Sequence, residues 1–404
     1  MEMPLKGIRV LELANVLAGP GVGMFLSEMG AAVIKVENVQ SCGDVTRQWK
    51  LPTEDPETEI AGYFSCVNWG KRSLAIDITR AEGLNVIYGL VKQCDIVLSS
   101  YKPGDAEKLK VNFPILKELN EKLIYAHVTG YGMDNPRAGY DAIIQAESGF
   151  TYMNGEPEGN PVKMPVALMD ILAAHQLKEA ILLALLSRER YGGGQYIEAS
   201  LLRSGIASLA NQATNWLVGK SIPQRMGSDH PNIVPYGTIF RTADNKEIVL
   251  AVGTDKQFKE LCQILGEPEL AEDERFRKNF NRVVNSSELK MKLQSMIGSY
   301  KRDEILDILK SRRVPAGGVF NMEEVFSTPE AMEMILEGET GGGSIKGVST
   351  VAFTSDNMQI NKDLSPPPHY GEHSYEILSG MLGMSGSEIQ SLHEKNIIYA
   401  KYQK

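Results

Sequence analysis

The sequence predicts an α/β fold in two parts, a large doubly wound domain built on a parallel sheet and a smaller α/β domain. Three observations lead there. Apolar runs of strand length alternate with helix-length runs through the first half, as parallel strands covered on both faces require. Near residue 225 the texture changes, and shorter strands and helices begin again. The 404 residues, 43% of them hydrophobic, are enough for two or three domains with real cores.

In order, Ile8–Leu13 reads as a buried strand, and Gly19-Pro-Gly-Val-Gly23 as a turn into the helical run Met24–Met29. Ala32–Val36 is a second strand. Strand Ser73–Ile78, helix Ala81–Lys92 and strand Asp95–Leu98 repeat the unit, and Leu123–Val128 adds a strand, which makes the large domain Rossmann-like. Ile171–Leu186 is apolar almost all round and predicts a buried helix, closed by Gly192-Gly-Gly194. Strand Tyr196–Ala199 and a long helix Leu201–Val218 follow. Strands Gly237–Phe240, Lys246–Val252 and Gly317–Phe320 surround helices Lys256–Leu265, Ser287–Ser299 and Arg302–Ser311. The tail carries a glycine hairpin at 341–343, the prolines 366–368 and a final helical segment. The expected boundaries are 1–204 for the large domain, 205–225 for a linker, 226–325 for the small domain and 326–404 for the return to the large one.

Charge narrows the function. With 42 Lys and Arg against 51 Asp and Glu, the net charge of −9 repels nucleic acid and anionic membranes, so a phosphate-bearing ligand needs a local basic patch. No apolar run is long enough to span a bilayer, and the first strand starts too early for a targeting peptide, so a soluble cytoplasmic protein is expected. The cysteines at 42, 66, 94 and 262 form no Cys-x-x-Cys pair, and the six histidines contain no His-Glu-x-x-His; no metal is expected.

Three local features carry chemistry, each with a plainer reading beside it. Gly19-x-Gly21 lacks the third glycine of a dinucleotide fingerprint, which would fall at Met24, and a tight turn explains it equally well. Lys71 and Arg72 precede a strand, and Lys102 and Lys108 flank the turn Pro103-Gly104; these are scattered phosphate ligands or ordinary surface cations. Asp170 begins the long apolar helix. It is either an N-cap or a nucleophile kept ionised by the positive end of the helix dipole, and position alone does not separate the two.

The ordered segments Leu17-Ala-Gly-Pro20, Gly30-Ala-Ala-Val-Ile-Lys-Val-Glu37, Gly70-Lys-Arg-Ser-Leu74, Gly139-Tyr-Asp141 and Val166-Ala-Leu-Met-Asp170 resemble those of the family III CoA-transferases (CaiB/BaiF type). The similarity continues through Gly192-Gly-Gly-Gln-Tyr-Ile197, Ser200-Leu-Leu202, Gly253-Thr-Asp-Lys-Gln-Phe258, Val314-Pro-Ala-Gly317 and Pro366-Pro-Pro-His-Tyr-Gly-Glu-His373. The resemblance implies a CoA-transferase whose nucleophile is Asp170, working through an aspartyl–acyl anhydride and an aspartyl-CoA thioester. CoA or acyl-CoA would be its substrate, and no cofactor would be tightly bound. By position the CoA contacts would be Leu17, Ala18, Asn38, Ile76, Asp77, Ile78, Thr79, Ser100, Tyr101, Lys102, Lys108, Tyr140 and Asp141. The resemblance also implies a homodimer of interlocked rings.

Two departures from the formyl-CoA transferases bear on substrate. Leu17 stands where they have glutamine, and His230-Pro-Asn-Ile-Val-Pro-Tyr-Gly237 replaces their glycine run. The latter pattern resembles members that use succinyl-CoA or a related dicarboxylyl-CoA, such as succinate–hydroxymethylglutarate CoA-transferase, with His230 and Tyr236 as candidate substrate contacts. Two rivals remain. An α-methylacyl-CoA racemase pairs the aspartate with a histidine, but Tyr140 stands at that position, and a phenol of pKa about 10 is a poor substitute. A non-catalytic CoA-binding scaffold is the other.

Overall fold

The computed structural model describes residues 2–341 and 343–400; Gly342, the centre of the expected glycine hairpin, lies outside them. The chain divides into two compact units. The first comprises residues 1–148, 164–213 and 333–404, and the second residues 149–163 and 214–332.

The first unit is a mixed α/β body around a seven-stranded, mostly parallel sheet. Strands β1 (Arg9–Leu13), β2 (Ala32–Glu37), β3 (Lys71–Ile76), β4 (Ile96–Ser99), β5 (Ile124–Thr129) and β6 (Gln195–Ser200) lie in the order β3-β2-β1-β4-β5-β6. All these pairings are parallel. The order reverses between β1 and β4, and that is where a crevice opens beyond the strand ends.

Alternation along β1–β3 gives the sheet two unlike faces. Leu11, Leu13, Ile34, Val36, Leu74 and Ile76 form an apolar core with Val86, Ile87 and Leu90 of the crossover helix Ala81–Val91, and with Ile377 and Ile389 near the C-terminus. On the opposite face, Glu12, Lys35, Glu37, Lys71 and Ser73 are all buried. Lys35 Nζ lies 2.9 Å from Asp44 and 3.3 Å from Glu12, and Lys71 Nζ lies 2.8 Å from Glu12. Arg47 pairs with Glu37 at 2.7 Å. Lys71 is therefore an interior structural cation rather than a phosphate ligand. Its neighbour Arg72 pairs with Glu376 at 3.1 Å.

The helix Ala18–Glu28 covers this charged face and begins earlier than the sequence suggests: Gly19 to Gly23 lie inside it rather than in a turn. Two of its glycines are needed for approach. A Cβ on Gly23 would stand 1.9 Å from the Glu12 carboxylate, and one on Gly19 would stand 2.4 Å from the Ala14 side chain. Pro20 sits in the first turn, where no backbone donor is required.

The helix Leu168–Tyr191 packs beside it, burying Met169, Ala173, Ala174, Leu177, Ile181 and Ala184. It is not buried all round: Ile171, Leu182, Leu183 and Leu186 are exposed on this chain. The expected long helix from Leu201 is two helices, Leu201–Ala207 and Ala210–Leu217, broken where Ala210 takes φ +48°. The C-terminal segment returns to the sheet. Strands β10 (Ile335–Thr340) and β11 (Gly343–Val348) pair antiparallel against Trp69, and β12 (Ile398–Tyr399) adds an antiparallel edge to β3.

The second unit has a three-stranded antiparallel sheet, β7 (Tyr236–Arg241), β8 (Glu247–Ala251) and β9 (Ala316–Gly318). Helices Asp255–Ile264, Ser286–Ile297 and Arg302–Ser311 close a core around Phe240, Ile248, Phe258, Leu293 and Ile305. Among the described residues, no helix is long and apolar enough to cross a membrane.

Candidate active site

Two cavities open at the carboxyl ends of the first unit's strands. One, of about 280 Å³, lies at the β1/β4 switch point and is lined by Asn15, Val16, Ala18, Ser100, Tyr101, Lys102, Arg137, Tyr140, Asp141 and Asp170. The other, of about 170 Å³, is lined by Asn38, Ile76, Asp77, Ile78, Thr79 and Tyr101. Asn15 and Tyr101 border both.

Asp170 is in the first turn of the helix Leu168–Tyr191 and makes no capping bond; the cap position belongs to Ala167. Burial, and then the neighbouring charge of Asp141, push its carboxyl up to about 7. The helix dipole, worth about 0.3–1 kcal/mol at a surface terminus, does not outweigh these effects. The expectation of a carboxylate simply kept ionised is thus corrected: near neutral pH the group is divided between its two forms.

Asp141 also holds the segment that carries Asp170. Its Oδ1 accepts the Met169 N–H at 2.8 Å, and its Oδ2 accepts from Gln145 Nε2 at 2.8 Å. Fully buried Gln145 in turn accepts the Met164 N–H at 2.8 Å and donates to the Val166 carbonyl at 3.3 Å. Gln145 lies four residues after Asp141 on the helix Asp141–Glu147, the spacing at which side chains meet.

The remaining expected contacts divide. Ser100 Oγ accepts the Asn15 N–H at 3.1 Å, and Asn38 Oδ1 accepts the Gln40 N–H at 2.9 Å. Asp77 accepts from the Thr79 amide and hydroxyl and from Gln40, which hold its carboxyl below the usual range despite its partial desolvation. Leu17 caps the helix Ala18–Glu28 and borders neither cavity. Lys108 also stands outside both, exposed and 3.1 Å from Asp105. His230 lines a small cavity of about 50 Å³ within the second unit. The Tyr236 ring stands edge-on to it, centroids 5.4 Å apart, and His230 Nδ1 accepts the Asn232 N–H at 3.1 Å.

Sequence reasoning missed two groups. Arg137 lines the Asp170 cavity, ion-paired to Glu147 and stacked 4.3 Å over the Tyr131 ring. Tyr63, on the short helix Gly62–Ser65, has its hydroxyl pushed up to about 12 by burial and then by the Asp170 charge. Neither belongs to a motif with a chemical signature of its own.

The sequence model of the family described as CoA-transferase family III matches residues 5–374. The chain belongs to that family. This CoA-transferase is 40% identical over 387 residues to the succinate–glutarate CoA-transferase of Agrobacterium fabrum, covering 93% of this chain and 95% of that one. It is 34% identical over 396 residues to the succinyl-CoA:glutarate CoA-transferase of Mus musculus, covering 96% and 89%. The crystal structure of a CAIB/BAIF family protein from Brucella suis superposes with a TM-score of 0.84 at 37% identity, covering 94% of this chain and all of that one.

Proposed function

We propose that this CoA-transferase moves CoA from a dicarboxylyl-CoA, succinyl-CoA foremost, to a free carboxylic acid, with Asp170 as the covalent nucleophile. The observation that carries the reading is a desolvated carboxylate, perturbed to about 7, in a cavity at the switch point of the sheet. In its ionised form such a group is more nucleophilic than a solvated carboxylate, because little water must be stripped from it.

The Asp170 oxygen attacks the thioester carbonyl, and the C–S bond breaks to leave an aspartyl–acyl anhydride and CoA thiolate. The thiolate attacks the aspartyl carbonyl, expelling the donor acid and forming an aspartyl-CoA thioester. The acceptor carboxylate attacks that carbonyl and expels the thiolate, which then takes the acyl group and regenerates Asp170. Each step exchanges one activated acyl bond for another, so the thioester's energy survives provided that water is excluded.

The strand order β3-β2-β1-β4-β5-β6 supports the Rossmann-like reading of the large domain. CoA runs across both cavities, its thioester end beside Asp170 and Tyr140 and its remainder along Ser100–Lys102 toward Asn38 and Ile76–Thr79, with Tyr101 between. The active form is a homodimer of interlocked rings, as in the family the chain resembles. Succinyl or succinate figures in the names of the glutarate enzymes above and of the succinyl-CoA:mesaconate CoA-transferase of Haloarcula hispanica, 30% identical over 390 residues. His230 and Tyr236 are the proposed readers of the distal carboxylate.

The test is intact-protein mass spectrometry after mixing with succinyl-CoA alone, followed by a panel of free acids. A CoA adduct mapping to Asp170, and a new thioester with an added acid, are expected. Full transfer by Asp170→Ala would refute the role of Asp170, and exchange of α-deuterium without transfer would make the enzyme a racemase.

A further inference from the structure

The bend between β1 and the helix Ala18–Glu28 supplies Asn15, Val16, Ala18 and Gly19 to the wall of the Asp170 cavity. Val16 holds φ +70°, a left-handed conformation that a β-branched residue rarely takes and that glycine would adopt without strain. Conformations of this kind persist where surrounding bonds over-determine them. Here those bonds come from outside the bend. Asp44 Oδ2 accepts the Val16 N–H at 3.1 Å, Ser100 Oγ accepts the Asn15 N–H at 3.1 Å, and Lys35 Nζ donates to the Ala14 carbonyl at 3.0 Å. Lys71 Nζ donates to the Pro20 carbonyl at 2.9 Å. Asp44 and Lys35 are paired with each other, and both side chains are fully buried. A chain that needed only to turn from strand to helix would require none of these charges.

From this we infer that Asp44 and Lys35 are positioning residues, which hold Val16 in its strained form so that the β1 bend keeps its place as a water-excluding wall beside Asp170. The inference rests on the covalent reading of Asp170. A wall that relaxes lets water reach the aspartyl-CoA carbonyl. Water oxygen then adds to that carbonyl, the C–S bond breaks, CoA leaves as the thiol with a proton from water, and Asp170 is regenerated without transfer.

The readout is the partition between transfer and release of free CoA thiol, measured beside kcat, KM and Tm for Val16→Gly, Asp44→Asn, Glu37→Gln and Asp170→Ala. Val16→Gly should fold normally and raise Tm, since glycine accepts the backbone angle without strain, and added to Asp44→Asn it should restore part of the transfer that variant loses. Asp44→Asn should lose about tenfold in kcat and raise the hydrolysis-to-transfer ratio several-fold, because one amide cannot accept from Val16, satisfy Lys35 and serve Thr46 together, and small displacements of positioned groups have effects of this size. Glu37 is the control: it is equally buried but bonds Arg47, Ser73 and the Asp44 amide rather than the bend. Glu37→Gln should lower Tm with the partition unchanged. An unchanged partition in Asp44→Asn, no restoration of transfer when Val16→Gly is added to it, or an equal change in Glu37→Gln and Asp44→Asn, overturns the inference. An active Asp170→Ala sinks the covalent reading instead, so the two failures are distinct.

Discussion

The Asp141 carboxylate accepts the backbone N–H of Met169 at 2.8 Å, one residue before Asp170, and so both places the proposed nucleophile and sets its charge against a like charge. Asp141 was expected to touch CoA. In the structure both of its oxygens are already engaged, by Met169 and by Gln145.

Asp141→Asn should therefore move the acid limb of kcat/KM to lower pH. Wild-type kcat/KM should rise with pH through about 7, as Asp170 ionises. Removing the neighbouring charge favours ionisation, while burial, the larger cause, still holds the pKa above the ordinary carboxylate range. The ratio of activity at pH 6 to activity at pH 8 should rise in the variant; an unmoved limb would show that another group titrates.

Asp170→Asn should abolish transfer and stabilise the fold above pH 7. With a folded pKa of about 7 against about 4 unfolded, the native state retains a proton that the unfolded chain has lost. Wild-type stability contributed by this group is therefore intact below pH 4 and lost as pH rises through 7. A shift of about three units corresponds to a ceiling of about 4 kcal/mol. Urea midpoints should favour the variant at pH 8 by about 1–3 kcal/mol, with little difference at pH 4.

Two glycines should respond oppositely to alanine. Gly23→Ala drives a methyl into the Glu12 carboxylate of the buried ion network and should destabilise by about 2–4 kcal/mol. Gly380, exposed on the helix Ser374–Leu382, has open space where a Cβ would stand, and its alanine variant should gain about 0.5–1 kcal/mol. Thermal or urea unfolding of the pair checks both.

Lys102 and Lys108 should separate by location. Lys102→Glu should weaken CoA binding several-fold at low salt and less at high salt, because its cation lines the Asp170 cavity and exposed charges are screened over about 8–10 Å. Lys108→Glu should have a much smaller effect, since that ammonium is outside both cavities and paired with Asp105. Calorimetric titration at two ionic strengths distinguishes them, and equal losses would contradict the assignment.

For the donor, kcat/KM for succinyl-CoA should exceed that for butyryl-CoA by at least about tenfold, the scale on which a site reads a single polar group. The preference should vanish in His230→Ala. Its survival there would assign recognition to another group, with Arg137, on the wall of the Asp170 cavity, the next to replace.

The strands were legible because their Val, Ile and Leu runs are short and separated by turns. The start of the helix Ala18–Glu28 was not: Gly19, Pro20, Gly21 and Gly23 have low helix propensity, and Gly19 and Gly23 are required there because Ala14 and Glu12 leave no room for a Cβ. The break at Ala210 carries no glycine or proline to announce it. Asp170 stood out through its motif, but its raised pKa was hidden because Asp141 reaches it only in three dimensions. Glu12 and Lys35 were in plain view inside two apolar strands, and their mutual pairing required the register that sets Glu12 opposite Lys35.

The pairing of Ile398 with Ile76 has a consequence for how the molecule is made. The edge of β3 leaves the ribosome roughly 320 residues before its partner does, and at about 5–20 residues per second it waits on the order of tens of seconds. Through that interval a strand lies open along one side, ready to pair with any extended chain nearby. Biosynthesis of this enzyme therefore passes through a window of vulnerability that the finished fold conceals, and a slower ribosome lengthens it.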